Sequence, residues 1–153
     1  MPGIAEIRRL PWSAQQMFDL VADVSRYGEF LPWVIATRVR SDSDEEMIAD
    51  MLVGFSAIRE KFTSRVIKHR PDAIEVIYED GPLKDLDNRW QFRDLPEGGC
   101  EVDFSVQFSF RNALFEKIAG QYFDKAFRKM VAAFETRAQQ LYGSNNSSAT
   151  SAA

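Results

Sequence analysis

Apolar and polar residues alternate along the middle of this chain. From Val34 to Phe110 the period is two, and turn signals at 41–45, 54–56, 71–72, 80–82 and 96–99 divide the stretch into six strands. Their cores fall at 34–40, 46–54, 58–69, 73–79, 85–93 and 100–110, with connections short enough to call for antiparallel meandering. The last is the plainest: Val102, Phe104, Val106, Phe108 and Phe110 alternate with Glu101, Asp103, Ser105, Gln107 and Ser109. Such a strand has one buried face and one wet face.

The two ends read differently. Residues 4–10 form an edge strand closed by Pro11, which has no N–H to give to a ladder. Ser13 followed by Gln16 is a capping-box signature, and Met17, Phe18, Leu20 and Val21 give the apolar face of a helix ending near Asp23. The next segment, DVSRYGEFLPW (23–33), is broken by Gly28 and Pro32 and has room for a short second helix. After Asn112 the apolar spacing becomes that of a helix running to about Leu141. Roughly 30 residues at 1.5 Å each make ~45 Å, against a radius of gyration of ~15 Å for a compact chain of this length, so the helix must cross the whole domain. Its apolar positions are Phe115, Ile118, Ala119, Tyr122, Phe123, Ala126, Phe127, Met130, Phe134 and Leu141; Lys117, Gln121, Asp124, Lys125, Arg128 and Glu135 take the opposite face.

The order strand, two short helices, six strands, long helix gives an α+β class. A seven-stranded, curved antiparallel sheet around one long C-terminal helix, a helix grip, is the arrangement that covers both apolar faces. One domain over residues 1–142 follows, and the small polar tail 143–153, GSNNSSATSAA, reads as disordered.

Composition narrows the function. A chain of 153 residues suits one core, and 45% apolar with 27% charged residues is the composition of a folded protein. There is no run of ~20 apolar residues to span a bilayer. The first dozen residues lack a signal-peptide core, so the cytoplasm is the expected compartment. One cysteine, Cys100, makes no internal disulfide, and with the one histidine, His69, it falls short of a zinc site. No glycine-rich phosphate loop, dinucleotide fingerprint or metal-ligand spacing occurs, so no metal, no cofactor and no catalytic residue is assigned. Phe supplies 12 of 19 aromatic residues, which directs attention to apolar volume.

His69 beside Arg70 at a strand end, and Cys100 at a strand start after Gly98 and Gly99, read as a solvated imidazole and a small buried hydrophobe. The acidic run Asp42, Asp44, Glu45 and Glu46 lacks the spacing of a calcium loop and reads as a turn. The aromatic segment Tyr27, Phe30, Leu31, Pro32 and Trp33 either plugs a core or guards an opening. Residues 111–141 hold six basic groups and three acids, so a segment of +3 sits in a chain of net charge −4. Such a helix suits anionic lipid or RNA, or it is a solvated face with pairs such as Gln121 and Lys125.

Four stretches together resemble a known family: RYGEFLPW (26–33), MLVGFSAIREKFTSRV (51–66), DGPLKDLDNRWQF (80–92) and CEVDFSVQFSFRNALFEKIAGQYFDKAFRKMVAAFETR (100–137). They are similar to the coenzyme-Q-binding START-domain proteins of the polyketide cyclase/dehydrase and lipid-transport superfamily, over about residues 4–142. The resemblance implies a hydrophobic tunnel between sheet and helix holding ubiquinone or a related isoprenoid lipid, as bound ligand and not cofactor, in support of respiration and quinone biosynthesis. One departure is Leu83, where the family pattern has a second aromatic after D-G-P.

The family motif carries over Leu31, Pro32, Trp33, Val53, Phe55, Leu86, Asn88 and Trp90 as ligand-binding positions. Strand alternation and helical phase add Phe104, Phe108, Phe115, Ile118, Tyr122, Phe123 and Met130. Tyr122, Asn88 or Trp90 would orient the head group, and Arg59 and Glu60 complete the polar groups expected inside. The same superfamily includes the ribosome-association toxin and the polyketide aromatase/cyclases. A sequence pI near 5.1 speaks against tight RNA affinity, which scales with phosphates neutralised, so the ribosome is the disfavoured partner, and peripheral contact of the C-terminal helix with an anionic membrane stays open beside a simply solvated face.

Overall fold

The structure, a computed structural model, describes residues 3–55 and 58–143. One sheet of seven antiparallel strands is built from β1 (Gly3–Leu10), β2 (Val34–Asp42), β3 (Glu46–Phe55), β4 (Ile58–His69), β5 (Ala73–Asp80), β6 (Leu83–Asp94) and β7 (Cys100–Phe110). Its order is β1-β7-β6-β5-β4-β3-β2, a meander whose first strand returns to pair with the last. Helix α1 (Ala14–Ala22) and a 3-10 helix (Val24–Glu29) link β1 to β2, and α2 (Ala113–Tyr142) follows β7. This is the helix grip expected from the alternation. Expected and observed strand limits agree closely, with β6 starting two residues earlier, at Leu83.

Local chemistry sets these limits. Ser13 accepts from the Gln16 N–H while Gln16 Oε1 accepts from the Ser13 N–H, a complete capping box at α1. At α2, Asn112 Oδ1 accepts from the Leu114 and Phe115 N–H groups at 2.8 and 3.1 Å. The Arg111 N–H donates to Pro82 O and the Glu116 carboxylate accepts from the Phe110 N–H at 2.7 Å, tying the start of α2 to the β5–β6 turn. That turn needs Gly81: its φ is +145°, and a Cβ there would stand 2.9 Å from Lys61 O. The second short helix is a 3-10 helix because Gly28 and Pro32 leave too little uninterrupted chain for an α-helix.

The tightly packed core lies at one end of the sheet. Phe18 of α1, Cys100 and Ala138 are fully buried, joined by Trp12 from the link before α1, Ile74 and Phe92 from the sheet and Phe134 from the last third of α2. Leu141, assigned to this face by phase, is instead half exposed. At its end α2 packs on α1 and not on the sheet, so Tyr142 turns inward, its hydroxyl donating to Gln16 O at 2.8 Å, and Trp12 Nε1 donates to Gly143 O at 3.0 Å. Of the tail 143–153 expected to be disordered, Gly143 is described and accepts this bond from Trp12, and 144–153 lie outside the described residues.

Candidate functional site

Eight aromatic side chains join α2 to β6 and β7. Ring to ring, the seam runs Phe134–Trp90–Phe104–Phe127–Phe123–Phe108–Phe110–Phe115, with centroid separations from 4.4 to 6.2 Å. Alternation on β7 and helical phase on α2 present these rings to one another, which accounts for the unusual use of Phe. Because the seam runs along one side of the helix, the space between α2 and β3, β4 and β5 remains open.

That space is a cavity of about 400 Å³, within the range of small-molecule sites. β3 contributes Met51 and Val53, β4 Glu60, Phe62, Ser64 and Val66, β5 Ile74 and Val76, and β6 Leu86, Asn88 and Trp90. Phe104 and Phe108 come from β7, and Phe115, Ile118, Tyr122, Phe123 and Met130 from α2. Leu31 and Trp33 close the end next to the 3-10 helix. Of the fifteen ligand-binding positions expected, thirteen therefore line the one cavity. Pro32 does not: it is exposed, on the outer side of its segment near Lys129 and Arg137, because in the irregular chain after the 3-10 helix Leu31 takes the inward position. The side chain of Phe55 lies outside the described residues.

The segment 27–33 divides between the two roles open to it. Tyr27 and Leu31 are buried, Tyr27 edge-on to Phe134 at 5.6 Å, so they belong to the core and wall the cavity from there, while the less buried Trp33 lines the cavity beside them. The Tyr27 hydroxyl donates to Val21 O, and burial raises it far above the ordinary phenol range.

Sequence reasoning missed several liners. Leu83 is buried against the cavity because a register irregularity between Leu83 and Asp85 turns it to the inner face, so the departure from the family's aromatic is filled by an aliphatic side chain. Phe62, Ser64 and Val66 follow from strict alternation on β4, a signal present in the sequence. Val21, Val24 and Tyr27, from the helical link, needed the three-dimensional fold.

Polar groups at the cavity are few. Asn88 Nδ2 donates to Ser105 O at 3.0 Å, which fixes the amide orientation because a carbonyl can only accept. Trp90 is held against Phe92, Phe104 and Phe134. Tyr122, 44% exposed, stands at the rim. Arg59, expected inside, is exposed, since alternation puts Glu60 and not its neighbours on the inner face. His69 is exposed, and Cys100 is buried with its thiol pushed up to about 11 by burial and by Asp94. Of the acidic turn, Asp42 accepts from Lys68 Nζ at 2.5 Å, and no group of metal-binding side chains occurs among the described residues.

On the outer face of α2, Arg137 pairs with Glu29 at 2.5 Å and Glu135 with Arg8 at 2.7 Å. Lys117, Lys125, Arg128 and Lys129 are exposed and form no ion pair among the described residues. The pairing of Gln121 with Lys125 allowed by their spacing does not form a hydrogen bond among the described residues. No described helix is long and apolar enough to cross a membrane.

The chain is similar to several known proteins. It is 39% identical over 134 residues to the ribosome association toxin RatA of Pseudomonas aeruginosa, covering 88% of this chain and 93% of that protein. It is 33% identical to the mitochondrial coenzyme Q-binding protein COQ10 homolog B of Xenopus laevis, covering 91% of this chain and 59% of that protein. Among solved structures, an 18 kDa protein of Caulobacter crescentus superposes with a TM-score of 0.75 at 36% identity, over 94% of this chain and all of that one. The Zhui aromatase/cyclase of Streptomyces shares the fold, with a TM-score of 0.78 at 13% identity over 91% of this chain and 94% of that one. The family model for polyketide cyclase / dehydrase and lipid transport matches residues 10–135. With that match and this START-like fold, the chain belongs to the polyketide cyclase / dehydrase and lipid transport family.

Proposed function

We propose that this protein binds an isoprenoid quinone, ubiquinone or a close relative, and acts as its carrier or chaperone in support of respiratory electron transport and quinone biosynthesis. The observation that carries this reading is the cavity of about 400 Å³, walled by Phe, Val, Ile, Leu and Met with few polar groups. Hiding an isoprenoid tail from water is favourable by ~25 cal/mol per Å², and apolar walls provide that without fixing one registry of the chain. Coenzyme Q binding is in the name of one relative and ribosome association in the name of another. In this reading Lys117, Lys125, Arg128 and Lys129 bring the cavity to an anionic membrane, where lipid is exchanged. Mass spectrometry of organic extracts of natively purified protein should find isoprenoid quinone in roughly one-to-one proportion. Extracts without quinone, together with failure to take up added ubiquinone, would refute the reading.

A second reading is binding to the large ribosomal subunit; ribosome association is in the names of the toxin relatives, and the same four cations would serve it. Co-sedimentation separates the two. Salt-sensitive binding to ribosomal subunits and not to anionic vesicles would favour the second.

A further inference from the structure

We infer that the cavity selects the reduced, hydroquinone form of its ligand over the oxidised quinone, through the carboxylate of Glu60. This rests on the quinone reading above and sharpens it. On β4, Glu60, Phe62, Ser64 and Val66 face the cavity, and alternation turns Arg59 and Lys61 to the other side of the sheet. Glu60 lies opposite Val53 in the ladder and is partly buried. It makes no hydrogen bond or ion pair with a described residue, whereas Asp50, one strand away, is held by Thr63 and Arg40.

The other polar groups at the cavity do not discriminate between redox forms. Asn88, Ser64 and Tyr122 can each donate, as can the indole N–H groups of Trp33 and Trp90. A quinone carbonyl accepts from such donors, and a hydroquinone hydroxyl, which accepts as well as donates, does so too. A carboxylate only accepts. Facing a quinone it meets another acceptor and is stripped of water without a replacement partner, which is costly in an apolar site. Facing a hydroquinone it receives an O–H, a charge-assisted bond of the stronger kind. Glu60 is thus the wall group whose contact changes sign when the ligand is reduced.

The test uses the full chain with a short-tailed ubiquinone and its quinol in oxygen-free buffer near neutral pH, followed by quenching of the cavity tryptophans. Wild type should bind the quinol tighter by on the order of tenfold, the value of one charge-assisted hydrogen bond. Glu60→Gln, which supplies a donor in the same shape, should bring the ratio close to one, mainly by tightening the quinone. Equal affinities in wild type overturn the selection, whether or not the variant folds. A preference unchanged in Glu60→Gln overturns the role of this residue. Binding of neither form overturns the cavity reading and the selection with it, whereas binding of both alike overturns the selection alone.

Discussion

The two halves of α2 share one sequence pattern and meet different surroundings. From Phe127 onward the helix buries Phe127, Phe134 and Ala138, and Phe134 touches Tyr27, Phe30 and Trp90 edge-on at 5.3–5.6 Å. Before Phe127 no side chain of the helix is buried, although Phe115, Ile118, Ala119 and Phe123 face inward. The amphipathic spacing is as good in the first half as in the second. What differs is the opposite surface: the second half packs against core residues of α1, the 3-10 helix and the sheet, whereas the cavity lies between the first half and β3 and β4. An apolar stripe states that a helix faces away from water. It does not state that protein fills the space it faces.

The sharpest way to break this comparison is to remove one side chain from each half. Phe134→Ala should lose ~3–5 kcal/mol in denaturant unfolding, since it opens a void among three rings. Ile118→Glu should leave a folded protein but abolish ubiquinone uptake measured by tryptophan quenching, because it puts a charge into an apolar channel. Ile118→Ala should cost the lipid-free protein less than ~1.5 kcal/mol, as there is little packing to lose beside an existing cavity. A loss of the Phe134 size there would place Ile118 in solid core and erase the contrast.

Smaller effects test the outer face. Reversing Lys125 and Lys129 to Glu should weaken sedimentation with anionic vesicles by up to ~1 kcal/mol per charge removed, and added salt should weaken the wild type in the same direction. Binding indifferent to both changes would separate the cavity from any membrane. The mildest change lies at Gly120, in the loosely packed half, where a Cβ would meet nothing within 4 Å. Gly120→Ala should stabilise by ~0.5–1 kcal/mol through helix propensity alone, read as a small rise in Tm with unchanged ligand uptake.

Strand limits, the capping box of α1 and the phase of α2 were legible because each depends on residues close in sequence. The alternating Phe104 and Phe108 reached the cavity for the same reason, since a strand assigned to the right face carries all its inward residues with it, whereas Leu86, Asn88 and Trp90 were carried over from the family motif and lie on the inner face of β6. Pro32 failed because an irregular segment has no period to fix its facing. Leu141 failed because the last turn of α2 exchanges the sheet for α1, a change of partner that helical phase alone does not contain. The aromatic seam depends on register between β6, β7 and α2, so its members could be named but not their order. Glu60 could be named as an interior polar residue, while its lack of a partner among the described residues required the fold.

Cys100 has a practical consequence. It is the one cysteine of the chain, it has no exposed surface, and its thiol is pushed up to about 11, so it stays protonated and shielded under ordinary labelling conditions. A second cysteine introduced at an exposed site, Leu114 at the start of α2 for instance, would be the one reactive thiol in the molecule. The native sequence is in effect already a cysteine-silent background. A spectroscopic probe set at that site would report on the loosely packed half of α2 as lipid enters, with no native residue removed from the core.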